Sequence, residues 1–117
     1  MPTAIHCRYR PGGADERLSI RDVHLEYMMA HSEFIHSGGA LLQDCQVIGM
    51  YLLLGTEDGA WIDDFLANEP YSKAGLFASV ERLTVEQFIP ERHEGFLSAL
   101  LTESRRVARA RVRSCAF

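Results

Sequence analysis

Along the chain the period of the apolar positions changes several times, and each change marks an element. Thr3, Ile5, Cys7 and Tyr9 alternate with Ala4, His6 and Arg8, the two-residue repeat of a strand, until Pro11-Gly12-Gly13 breaks it. Ser19 and Asp22 then stand three apart, as at a capped helix start, and the spacing predicts a helix running to about Ser37, closed by Gly38-Gly39. On that helix Ile20, Val23, His24, Tyr27, Met28, His31, Phe34 and Ile35 fall in one arc of about 140°, opposite Asp22, Glu26 and Glu33. Two histidines therefore sit in the middle of the face expected to be buried.

Ala40 to Asp44 and Gln46 to Leu54 read as two strands joined tightly around Asp44-Cys45-Gln46. The second is apolar at almost every position, which predicts cover on both of its faces. Thr56 is placed to cap a second helix bearing Trp61, Ile62, Phe65 and Leu66, with Pro70 as its stop, and a last strand lies within Leu76 to Phe88. From Glu94 the pattern is an appended helix, with Phe96, Leu97, Leu100 and Leu101 as its apolar stripe, followed by Arg105, Arg106, Arg109, Arg111 and Arg113.

The order strand, helix, strand, strand, helix, strand is the split pattern of an α+β, ferredoxin-like sandwich. It spans residues 1–91, leaving 92–117 as a basic helical extension. Two helices cover one face of a four-stranded sheet, so the other is expected to meet a second copy, giving a homodimer or higher homo-oligomer.

Composition bounds what this fold can be. In 117 residues, 47% are apolar and 24% charged, enough for one core and unlike a disordered chain. The longest apolar run, Met50 to Leu54, is far short of the roughly 18 residues of a membrane span, and Met1 to Tyr9 lacks the pattern of a signal peptide. A soluble, cytoplasmic protein is expected. Cys7, Cys45 and Cys115 are an odd, scattered set, which weighs against a disulfide framework and a structural zinc site. Residues 1–91 carry six Lys or Arg and fourteen Asp or Glu, net −8, while residues 92–117 carry six Arg and two Glu, net +4. An acidic body repels polyanions, which weighs against nucleic acid as a partner. The bland account of the arginine tail is a solvated or docked helix face.

His24 is the candidate general base or acid, because imidazole exchanges a proton near neutrality. Its plain alternative is a core histidine bonded to backbone. Asp44, in the turn after the next strand, is a candidate to orient His24, against the plain alternative of turn chemistry. Glu69 and Tyr71 offer an acid and a phenol at a pocket rim, and Arg21, one helical turn before His24, is a candidate to hold an anionic group. His31 and His36 lack a compact ligand spacing, so no metal site is expected.

Arg21-Asp22-Val23-His24-Leu25, Gly38-Gly39, Leu41-Leu42-Gln43-Asp44, Ile48-Gly49, Glu69-Pro70-Tyr71 and Gly75-Leu76-Phe77 are spaced as in the YciI-related proteins. The resemblance covers roughly residues 3–89. It implies a ferredoxin-like protomer of the dimeric α/β-barrel superfamily and a His and Asp pair, here His24 and Asp44, as the site. Some relatives are dehydrochlorinases of chlorinated aromatics, and the wider superfamily includes muconolactone isomerase. The chain departs from the pattern with Gly39 where Gly-Pro is common, Glu69 where Asp-Pro-Tyr is usual, and the arginine-rich tail.

The expected function is a cofactor-free enzyme of isomerase, lyase or dehydrochlorinase type. His24 would transfer a proton on a small cyclic or aromatic-derived molecule, oriented by Asp44. The alternative is a non-catalytic small-ligand-binding or assembly module. A basic-tail nucleic-acid binder stands third.

Overall fold

The computed structural model describes residues 1–89 and 96–110. In its first unit, Met1–Val85, four strands form one antiparallel sheet: β1 (Thr3–Tyr9), β2 (Ile35–Gln43), β3 (Gln46–Leu54) and β4 (Phe77–Thr84), in the order β2-β3-β1-β4. The helices of this unit are α1 (Gly13–Glu16), α2 (Arg21–Ala30), α3 (Gly59–Asn68) and α4 (Pro70–Lys73). This is the ferredoxin-like α+β arrangement, with both central strands, β1 and β3, flanked by antiparallel neighbours. The second unit, from Glu86 on, contains α5 (Phe96–Arg109), along which Arg106 pairs with Glu103 at 2.6 Å. Arg111, Arg113, Cys115 and the expected boundary at residues 91 and 92 lie outside the described residues.

Period-two alternation sorts the sheet into two faces. Ile5, Cys7, Met50, Leu52 and Leu54 point to the helical side, where they join Ile62, Phe65, Leu66, Tyr71 and Leu76 in the core. On the other side the register aligns Ala4 with Leu53 and Leu83, and His6 with Tyr51 and Glu81. Tyr51 and Leu53 are only half-buried there and Leu83 is exposed, so β3 is covered on one face rather than both within this chain.

The helix expected to reach Ser37 ends at Ala30, and a 3₁₀ turn at Ser32–Phe34 leads straight into β2. His31 terminates it by turning its imidazole back, Nδ1 meeting the Tyr27 carbonyl at 2.8 Å. Gly38 and Gly39 do not stop a helix; they are strand residues held small by cross-strand neighbours. A Cβ on Gly38 would stand 2.9 Å from Leu52 Cδ2, and one on Gly39 would stand 3.1 Å from Tyr51 Cε1. The helix start also differs. Ser19 does not cap it; its hydroxyl donates to the Glu16 carbonyl, and Ile20 holds the cap position without a side-chain bond. For α3 the cap is Asp58, accepting from Ala60 and Trp61 amides, while Thr56 supports it by accepting the Asp58 N–H. Pro70 is the first residue of α4 rather than the stop of α3, a position where its missing N–H costs nothing.

No helix among the described residues is long and apolar enough to cross a membrane. No group of three or more His, Cys, Asp or Glu side chains among them is placed to hold a metal ion.

Candidate active site

Three short features bring the site together. On α2, His24 is the buried residue, 8% exposed, and Tyr27 anchors that helix by donating its hydroxyl to the Phe65 carbonyl of α3 at 2.7 Å. The α3-to-α4 corner supplies Glu69, fully buried, and Tyr71, 3% exposed. Glu69 caps α4, its Oε2 accepting the Ser72 N–H at 2.9 Å. Its other oxygen, Oε1, meets His24 Nδ1 at 2.5 Å. The Tyr71 ring lies flat against the imidazole, with centroids 3.9 Å apart and planes within 5°.

This geometry fixes the imidazole from two directions. A carboxylate can only accept, so Nδ1 is the nitrogen that donates to it, and in a neutral imidazole so held the lone pair is on Nε2. Stacking on Tyr71 holds the ring plane. A carboxylate that holds a histidine tautomer in this way also stabilises the imidazolium once a proton arrives on Nε2.

His24 and Tyr71 form part of the wall of a cavity of about 600 Å³ between α2 and strands β2 and β3. That volume is within the roughly 300–1,000 Å³ of small-molecule sites. Gly38, Gly39 and Ala40 keep its strand side open, Leu25, Met28 and Met29 border it from α2, and Tyr9, Arg17 and Arg21 complete the polar end. Burial pushes the Tyr9 phenol up to about 12, with Tyr71 and Glu69 adding to the rise and Arg17 opposing it. Burial also raises the Tyr71 phenol, against the opposing pull of Arg17 and Arg21. Both phenols keep their protons at neutral pH and act there as neutral donors or acceptors; among the lining residues His24 is the imidazole.

Of the residues singled out in the sequence, His24, Arg21 and Tyr71 line this one cavity. Asp44 does not join them. It lies exposed at the tip of the β2–β3 hairpin with a φ of 50°, beside Cys45 at 62°, the left-handed pair that a two-residue turn requires. Within the protomer the expected His24–Asp44 pair is not formed, and Glu69 takes that position. Glu69 is also not at a rim: it is sealed behind the imidazole, where it can orient His24 but not touch a ligand. Arg17 and Tyr9 were not singled out by sequence. Arg17 donates to the Ala14 carbonyl and places its guanidinium 5.8 Å over the Tyr9 ring. Its one sequence signal was its place four residues before Arg21. Cys7, in the core next to Glu69, has its thiol pushed up to about 12, chiefly by burial, and is no nucleophile.

Comparison with known proteins addresses the family and the fold. No curated protein matches the chain. Among solved structures, 5-chloro-2-hydroxyhydroquinone dehydrochlorinase (TftG) from Burkholderia phenoliruptrix AC1100, in complex with 2,5-dihydroxybenzoquinone, is similar at 27% identity and a TM-score of 0.68. The match covers 74% of this chain and 95% of that one. A protein from Bacteriodes thetaiotaomicron, provisionally described as an antibiotic biosynthesis monooxygenase, has a TM-score of 0.51 at 14% identity, covering 80% of this chain and 93% of that one. That likeness shows the fold alone. The model of the YCII-related domain matches residues 1–86 of the sequence, and the chain belongs to that family.

Proposed function

We propose that the protein is a cofactor-free enzyme that transfers a proton on a small cyclic or aromatic-derived molecule, with His24 as the base and Glu69 as its positioning residue. The observation that carries this is the fixed imidazole: Nδ1 on a fully buried carboxylate at 2.5 Å, the ring stacked on Tyr71, and the cavity alongside. The dehydrochlorinase activity and the bound quinone named for the similar structure support a ring substrate.

In the reaction, Nε2 takes a proton from a C–H or hydroxyl group conjugated with a carbonyl of the ring's keto tautomer. The electron pair of that bond either moves into an enolate or, through the conjugated ring, expels a leaving group such as chloride from an sp³ ring carbon, which leaves a quinone. The imidazolium, opposite Glu69, then returns its proton to the enolate or loses it to water. The first outcome is an isomerisation and the second an elimination. A second copy of the chain packed against the far face of the sheet, over Tyr51, Leu53 and Leu83, belongs to the same proposal.

Two probes test it: chloride release from 5-chloro-2-hydroxyhydroquinone, and deuterium uptake from D₂O into the ring C–H positions of 2,5-dihydroxybenzoquinone. The wild type is expected to accelerate at least one of them, and His24→Gln to lower that rate by about 10²–10⁴-fold. Equal rates in wild type and variant overturn the role of His24. Binding with no acceleration of either reaction would favour a ligand-capture module.

A further inference from the structure

The cavity carries an uncompensated positive charge inside an otherwise acidic unit. Its wall holds two guanidiniums, Arg17 and Arg21, and no carboxylate. Among the other described basic side chains, Arg10 pairs with Glu16, Arg82 with Asp63 at 2.5 Å and Arg106 with Glu103 at 2.6 Å, while Arg8, Lys73, Arg105 and Arg109 stand without an ion pair and line no part of this cavity. Among the described residues Arg21 has neither an ion pair nor a hydrogen bond, and Arg17 has only the Ala14 carbonyl and the Tyr9 ring. Glu69, behind His24, is fully buried and has both oxygens engaged, by His24 and the Ser72 N–H. Residues 1–91 have a net charge of −8, so two unpaired cations at one cavity stand against the trend of the surface around them.

We propose that Arg17 and Arg21 form an anion clamp that selects a planar ring carrying at least one ionised oxygen and sets it against His24. The clamp rests on the reading of this cavity as a substrate site and narrows its substrate class. Guanidinium suits the role because it is always charged, donates through a planar fork, and is weakly hydrated for a cation. The remaining wall suits a flat ring, with Tyr9 and Tyr71 presenting aromatic surface, Met28 an adaptable thioether, and the glycines of β2 little bulk. Both arginines act electrostatically on the Tyr71 phenol and Arg17 also on Tyr9, so the positive field covers the end of the cavity where His24 stacks on Tyr71. An enolate or phenolate oxygen held there gains from the clamp as its charge develops, while the neighbouring C–H faces the base.

The experiment compares 2,5-dihydroxybenzoquinone, whose enolic oxygens ionise, with 2,5-dimethoxybenzoquinone, which has the same skeleton and no acidic oxygen. Affinity is measured by calorimetry at low and high NaCl. The wild type is expected to bind the ionisable probe at least about tenfold more tightly, with the advantage shrinking as salt rises. Arg21→Gln, at an exposed and unpaired position, and Arg17→Gln are each expected to weaken it by about tenfold. Neither is expected to change affinity for the dimethoxy probe beyond about threefold. Arg21→Gln carries the test, because its side chain makes no bond on which folding depends. Equal affinity for the two probes, no binding of either, or unchanged affinity in Arg21→Gln overturns the clamp. His24→Gln separates the two proposals: it should keep the preference for the anionic probe and lose deuterium exchange. Anion-selective binding without exchange in the wild type sinks proton transfer and leaves the clamp standing. His24-dependent exchange without anion selectivity does the reverse.

Discussion

Exchanging one oxygen of Glu69 for an amide nitrogen is a small change in shape with a large expected effect on chemistry. In the native site two donors, His24 Nδ1–H and the Ser72 N–H, face the two carboxylate oxygens at 2.5 and 2.9 Å. In Glu69→Gln only one oxygen remains. The arrangement that satisfies every group keeps that oxygen on Ser72 and turns the amide NH₂ toward His24. Nδ1 must then accept, which moves the ring proton to Nε2 and removes the base. Two charge-assisted hydrogen bonds become neutral ones, a cost of about 2 kcal/mol in all. The rate should fall by about 10²–10⁴-fold, as expected when a histidine is held in the wrong tautomer. Urea unfolding followed by the fluorescence of Trp61, which stacks on Phe65 with centroids 5.2 Å apart, reads the stability. Deuterium exchange into the quinone probe reads the rate. Asp44→Asn is the control: the residue is exposed in a left-handed turn conformation that Asn also tolerates, so stability should stay within about 0.5 kcal/mol. Full exchange activity in Glu69→Gln, or its loss in Asp44→Asn, would refute the reasoning.

Three further perturbations test other parts of the structure. Gly49→Ala should destabilise by at least about 2 kcal/mol in the same urea assay, because its Cβ would collide with the Cys7 carbonyl across the β1–β3 ladder; a neutral result would contradict that pairing. The Cys7 thiol, raised from 9.0 to about 12 by burial and by Glu69, binds its proton more tightly folded than unfolded. Stability should therefore fall as pH rises from about 9 toward 12, and iodoacetamide at pH 8 should modify exposed Cys45 while sparing Cys7 in the native protein, as read by peptide mapping. Leu83→Asp, on the open face of the sheet and 50% exposed in one chain, should convert a dimer to a monomer in light scattering; a monomeric wild type would contradict the proposed packing.

Much of the fold was legible because local periodicity dominates it. The alternation of Thr3 to Tyr9, the apolar run of Gln46 to Leu54 and the Trp61-Ile62-Phe65-Leu66 stripe all lead to elements the structure contains. The helix end was misread because Gly38-Gly39 has two physical uses, a left-handed stop and a close cross-strand approach, and only the position of Tyr51 and Leu52 decides between them. The site was half legible. His24 stood out by its place on an amphipathic face, and Arg21 by its spacing from it. The identity of the carboxylate did not, because Glu69 lies 45 residues from His24 and reaches it only when the α3–α4 corner folds beneath α2. Asp44 was nearer in sequence and chemically apt, but it lies exposed in the β2–β3 turn, and within the protomer His24 is bonded to Glu69 instead. Glu69-Pro70 did hold a local clue: a carboxylate before a first-turn proline is a helix cap, and a cap is a fixed carboxylate.

Ring-nitrogen NMR of His24 at neutral pH, in the wild type and in Glu69→Gln, tests most directly whether the buried carboxylate sets up the base. In the wild type the spectrum should show the proton on Nδ1 and an unprotonated Nε2, and in Glu69→Gln the reverse, with Asp44→Asn indistinguishable from the wild type. A wild-type imidazole protonated on Nε2 alone, or one that keeps its tautomer when Glu69 is neutralised, would contradict the account.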